Sequence, residues 1–126
     1  MGSADLDWRV LLEHQPFIRY DRRSFGGRRV DQFLRDQHIT AHDVIELDEL
    51  QGMTRLVARG QGVALAPQTA GQGAWPPGVR AISLGDDTFT REIGLIERPR
   101  HSRQPIASRL ADCIDEAARD GRTQNE

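Results

Sequence analysis

Leu56-Val57-Ala58-Arg59-Gly60-Gln61-Gly62-Val63-Ala64-Leu65-Ala66-Pro67 decides how the rest of the chain is read. It has the form of a helix end, a glycine stop, a short apolar strand and a proline that closes the strand. Gly60 stands where a helix terminus takes a residue at positive φ, and Gly62 permits a tight reversal into residues 63–66, an apolar run too short for a helix. A strand buried on both faces is expected there, and with it a parallel or mixed sheet covered by helices.

Outward from this block, the pattern alternates. Pro16-Phe17-Ile18-Arg19-Tyr20 is a compact apolar and aromatic run that reads as a first strand. Val30, Phe33, Leu34 and Gln37 fall at i, i+3, i+4 and i+7, which predicts a helix over about residues 25–37 with Ser24 as its N-cap. Residues 38–43 read as a loop and 44–47 as a second strand. A second helix is expected from Asp48, with Leu50, Met53 and Val57 on one stripe and Asp48 or Glu49 complementing its dipole. Residues 6–14 predict one or two helical turns ahead of the first strand. Residues 68–78, rich in glycine and proline, read as an irregular loop. Residues 79–84 and 91–96 read as further strands, and 102–119 as an amphipathic helix with Ile106, Leu110, Cys113, Ile114 and Ala117 on one side and Gly121 ending it. The fold class is α/β: three layers, a mixed and mostly parallel sheet flanked by helices. The expected organisation is a tag or linker over 1–5, a subdomain over 6–101, the final helix over 102–119 and a disordered tail over 120–126.

Composition sets the outer limits. The chain has 126 residues, enough for one domain, with 37% hydrophobic and 29% charged residues. A net charge of −2 argues against general affinity for nucleic acid. All 17 basic residues are arginine. Met1-Gly2-Ser3 reads as a cloning remnant, and no secretory signal follows it. The single cysteine, Cys113, forms no internal disulfide and fits a reducing compartment, so the cytoplasm is the expected location. On the apolar side of its helix it reads as a core residue rather than a nucleophile. His14, His38 and His42 lack metal-ligand spacing, and Gly60-Gln61-Gly62 and Gly71-Gln72-Gly73 are not dinucleotide fingerprints, so neither a metal nor a cofactor is expected.

In α/β sheets, ligands bind outside the carboxyl ends of the strands, which here are residues 20–24, 48–50 and 67–69. Arg19, Arg22, Arg23, Arg28 and Arg29 cluster around a helix start whose N–H groups and dipole favour an anion, although a solvated basic face explains the cluster equally well. The expected ligand-binding residues are Arg22, Ser24, Asp48 and Gln68, with Tyr20 shaping the floor, and the expected ligand is a small anionic molecule of carboxylate type.

Residues 16–20, the run Arg23-Ser24-Phe25-Gly26-Gly27-Arg28 with its apolar helix, Ile45-Glu46-Leu47-Asp48 and above all the block over 56–67 resemble the effector-binding domain of LysR-type transcriptional regulators, from about residue 6 to 118. The resemblance implies one half of a type 2 periplasmic-binding-protein fold, in which a small molecule is held in a cleft between two α/β subdomains. It implies the second subdomain, without catalytic residues, and a parent protein that reads DNA through an N-terminal helix-turn-helix absent from this sequence. It leaves the apolar stripe of the final helix without its docking surface on the other subdomain, so a homodimer held chiefly by that helix is expected. A fragment of a periplasmic solute-binding protein and a small α/β enzyme are the competing expectations.

Overall fold

A computed structural model describes residues 6–69, 73–90, 94, 96 and 105–123. They form two compact units, Met1–Pro67 with Trp75–Arg91, and Gln68–Ala74 with Glu92–Glu126. The expected strand over 91–96, the Gly71-Gln72-Gly73 turn and the terminal segments 1–5 and 124–126 lie wholly or mainly outside the described residues.

In the first unit the chain runs α1 (Trp8–His14), β1 (Pro16–Tyr20), α2 (Phe25–Asp36), β2 (His42–Leu47), α3 (Leu50–Ala58) and a single 3-10 turn at Gly85–Asp87. Asp7 caps α1 by accepting the Arg9 N–H at 2.9 Å. Ser24 caps α2 as its position predicts, its hydroxyl accepting from the Gly27 N–H at 2.9 Å. The helix α2 ends with His38 at φ 56°. The Ile39 N–H returns to Leu34 O at 2.9 Å and the His38 N–H to Arg35 O at 3.0 Å, a Schellman closure.

The deciding block behaves as the sequence implies at its first half. Gly60 takes φ 73°. Its N–H reaches Val57 O at 2.9 Å while the Gln61 N–H reaches Leu56 O at 3.0 Å, closing α3 in the same way. Gly62 then lies so close to the first strand that a Cβ on it would sit 2.3 Å from Pro16 O. The second half departs from expectation. Val63 makes one parallel bridge to Phe17, through Val63 N–H to Pro16 O and Ile18 N–H to Val63 O, both 2.9 Å, and residues 64–66 run on half-buried without a ladder.

β1 pairs with β2 in parallel and with Val63 on its other side, so β1 is the central strand. It is also the deeply buried one: Phe17, Ile18 and Arg19 are buried, whereas β2 is exposed along most of its length. The doubly buried strand is therefore 16–20 and not 63–66, because the central position goes to the strand with neighbours on both sides. β2 begins at His42, two residues inside the expected loop, and the register shifts between Phe17 and Ile18 as Val44 bulges out of the pairing. Residues 79–84 form no strand. They run as irregular chain that lays Leu84 on the core and turns at Gly85, with Thr88 N–H donating to Gly85 O at 3.2 Å.

Phe17 packs with Leu12, Val30, Phe33, Leu34 and Ile39 on one side of the sheet. The Phe33 ring stands 5.5 Å from Trp8 and stacks at 4.8 Å on Phe89. Ile18, pointing the other way by strand alternation, and Met53 of α3 are both fully buried. Each such side chain contributes about 1.5–3 kcal/mol relative to exposure.

The second unit contains α4 (Pro105–Thr123), which passes through Gly121 and ends two residues later. Ile106, Leu110 and Ile114 are exposed on it, Cys113 is exposed as well, and the buried position is Ala111. Cys113 is thus not a core residue: the helix buries Ala111 and leaves its larger apolar side chains exposed. No helix among the described residues is long and apolar enough to cross a membrane, and no group of three or more metal-ligating side chains occurs among them.

Candidate functional site

At the carboxyl ends of β1 and β2, residues Asp21, Arg22, Arg23, Glu46, Leu47 and Asp48 line an open depression of about 510 Å³. The backbone that shapes it is tightly specified. The Asp21 N–H extends the parallel ladder to Leu47 O at 2.8 Å. The Asp21 carbonyl then accepts both the Ser24 N–H at 3.0 Å and the Ser24 hydroxyl at 2.7 Å. Its carboxylate accepts from the Arg23 backbone N–H at 2.9 Å and from the Arg23 guanidinium at 3.2 Å through Nε and Nη2. The hydrogen bonds from Arg23 hold the Asp21 carboxyl below its ordinary pKa. The same contact raises Arg23, with Glu46 and Asp48 adding to the negative field around it.

The five clustered arginines do not form a free basic surface. Arg19 is buried, with its side chain 7% exposed, and donates from Nε to both oxygens of Asp43 at 3.2 Å and from Nη2 to Oδ1 at 3.0 Å. Its Nη1 lies 3.5 Å from Asp31 without forming a hydrogen bond, and its Cζ stands 5.2 Å from the Phe17 ring. Arg22, 53% exposed, donates from Nη2 to Asp43 Oδ2 and from its backbone N–H to Glu46 Oε1 at 2.9 Å. Arg23 is held by Asp21. Arg28 lies 5.8 Å over Phe25. Arg29 lies 5.8 Å over Phe89 and donates to Thr90 O at 2.9 Å.

Of the residues expected at a site, Arg22 and Asp48 line the depression. Ser24 is occupied as the helix cap. Tyr20 lies against the start of α2, where a Cβ on Gly26 would be 2.7 Å from its ring, so it supports the loop from behind. Gln68 is exposed and belongs to the second unit. Sequence reasoning passed over Asp21, Asp43 and Glu46. Only Asp21 carried a local signal, as an Asx residue two positions before Arg23; the other two meet arginines 24 and 21 positions away through strand pairing. Among the described residues the N–H groups of Phe25 and Gly26, the first two of α2, have no protein acceptor.

The parallel α/β unit carries this depression outside the carboxyl ends of its strands, the place where ligands bind in such sheets. A family profile described as the LysR substrate binding domain matches residues 7–119. The chain belongs to this family. No curated protein and no solved structure is significantly similar to it.

Proposed function

We propose that the chain is the effector-sensing part of a bacterial LysR-type transcriptional regulator and that the effector carries an anionic group, of which a carboxylate is the simplest. The supporting observation is the depression at the ends of β1 and β2, which has a half-exposed guanidinium, Arg22, on its wall. Asp48 on the same wall, with Glu46, accepts hydroxyl or amino groups elsewhere on the effector. Ser24 and Tyr20 keep the loop in place. The domain is non-catalytic in this reading, works in the cytoplasm and meets DNA only through a DNA-reading element of the parent protein. It works as a homodimer, for which the exposed apolar stripe of α4 is the supporting feature. The family match over residues 7–119 supports this reading over a solute-binding fragment or a small α/β enzyme.

The test is effector titration in the whole regulator. A charge-assisted contact to arginine contributes about 1.5–3 kcal/mol, so Arg22→Ala weakens the effector response about tenfold or more. An unchanged titration removes Arg22 from the site.

A further inference from the structure

We propose that Asp43 is a specificity-determining residue of this site: it holds the Arg22 guanidinium in the free domain and yields it to the anionic group of the effector. The proposal rests on the effector reading given above and adds the competitor that the effector must displace.

Asp43 does not line the depression, whereas the residue it grips does. The grip is slight. Arg22 offers Asp43 one nitrogen, Nη2, from a side chain that is half exposed, and its Nε and Nη1 make no hydrogen bond to protein among the described residues. A planar anion that takes two of these donors side by side outcompetes a single contact. The Arg23–Asp21 pair differs: it joins near neighbours in the chain and adds a backbone N–H to two guanidinium bonds, so it stays closed.

Asp43 can release Arg22 because it has a second, better partner. Arg19 binds both of its oxygens from a buried position, with three hydrogen bonds of 3.0–3.2 Å. When Arg22 turns away, the Asp43 carboxylate remains neutralised and no charge is stranded, which is the condition under which opening an ion pair is inexpensive. A neutral ligand cannot replace a carboxylate at Arg22, so the exchange selects for anions.

Acetate is the probe, with N-methylacetamide as the neutral control, both titrated at constant ionic strength into the 126-residue chain while arginine side-chain and backbone resonances are followed. The expected result is that acetate moves the Arg22 side-chain signals and leaves Arg19 in place, while N-methylacetamide moves neither. In Asp43→Asn the half-saturating acetate concentration falls about two- to fivefold, the range that an exposed ion pair is worth. In an Arg22→Ala background, Asp43→Asn has no effect on the response of the Asp21 and Phe25 amides. If Asp43→Asn does not fold because Arg19 loses its acceptor, Arg19→Gln with Asp43→Asn removes both charges and shows the same fall. Equal midpoints in the wild type and the Asp43 variants, or an Asp43 effect that persists without Arg22, overturn the proposal and leave the effector reading standing. Acetate that moves no resonance of the depression in any variant removes the anionic-effector reading and the proposal together.

Discussion

Gly27 stands so close to the backbone of Asp21 that a Cβ on it would lie 1.7 Å from the Asp21 carbonyl oxygen and 2.8 Å from that of Tyr20. The same carbonyl of Asp21 accepts two hydrogen bonds from Ser24, so it cannot retreat without undoing the turn that carries Arg22 and Arg23. Gly27→Ala is therefore expected to cost at least about 2–3 kcal/mol in urea denaturation, through overpacking against backbone. Gly60 makes the contrast. A Cβ there meets nothing within 4 Å, but φ is 73°. Gly60→Ala is expected to cost only about 1–2 kcal/mol, the left-handed strain alone. Equal losses in the two variants would contradict the steric argument.

Ser24 satisfies one orphan N–H of α2 and also ties the helix to the Asp21 carbonyl. Ser24→Ala removes both contacts and is expected to lower stability by about 1–2 kcal/mol, whereas Ser24→Asp retains the cap acceptor and loses less. Ser24 closes the turn that carries Arg22 and Arg23, so the amide signals of those two residues in the alanine variant should shift more than those of α3. A variant as stable as the wild type would show that the cap is redundant.

The pairing of Asp21 with Arg23 predicts an acid dependence of definite sign. The carboxyl is held below its ordinary 3.8, chiefly by the Arg23 hydrogen bonds. A carboxyl with a depressed folded-state pKa stabilises the fold fully above its unfolded pKa, and that contribution is lost as pH falls through the folded value. The stability difference between wild type and Asp21→Asn should accordingly be flat from neutrality to about pH 5 and shrink below about pH 4. Denaturation midpoints measured from pH 7 to pH 2.5 check this; a difference that grows on acidification would reverse the assignment.

Local chemistry made most of the elements legible. The spacing of Val30, Phe33 and Leu34 located α2, Ser24 its start, and the Gly60 stop the end of α3, because caps and amphipathic stripes are decided within a few residues. What the sequence could not show was which strand becomes central. Residues 63–66 are as apolar as 16–20, but β1 has neighbours on both sides and Val63 has one. The site shows the same division. The places of Arg22 and Asp48 at strand ends, where the depression lies, were legible, while the pairing of Arg19 and Arg22 with Asp43 was not, since Asp43 reaches them only through the parallel pairing of β1 with β2. The register shift at Val44 belongs to that tertiary level too.

On α4, Ile106, Leu110 and Ile114 are 82%, 59% and 43% exposed. They recur every four residues, so they form one stripe along the helix. In the homodimer proposed above, this stripe is the contact between two copies of the chain. In an antiparallel two-fold pair centred on Leu110, Ile106 of one helix falls opposite Ile114 of the other. A dimer held by this stripe should dissociate in Leu110→Glu, which puts two carboxylates together at the centre of a buried apolar contact. It should survive Leu110→Met, which keeps volume and polarity. Light scattering at micromolar concentration distinguishes the cases: a monomeric wild-type chain, or a dimer indifferent to Leu110→Glu, would refute the assignment of this face.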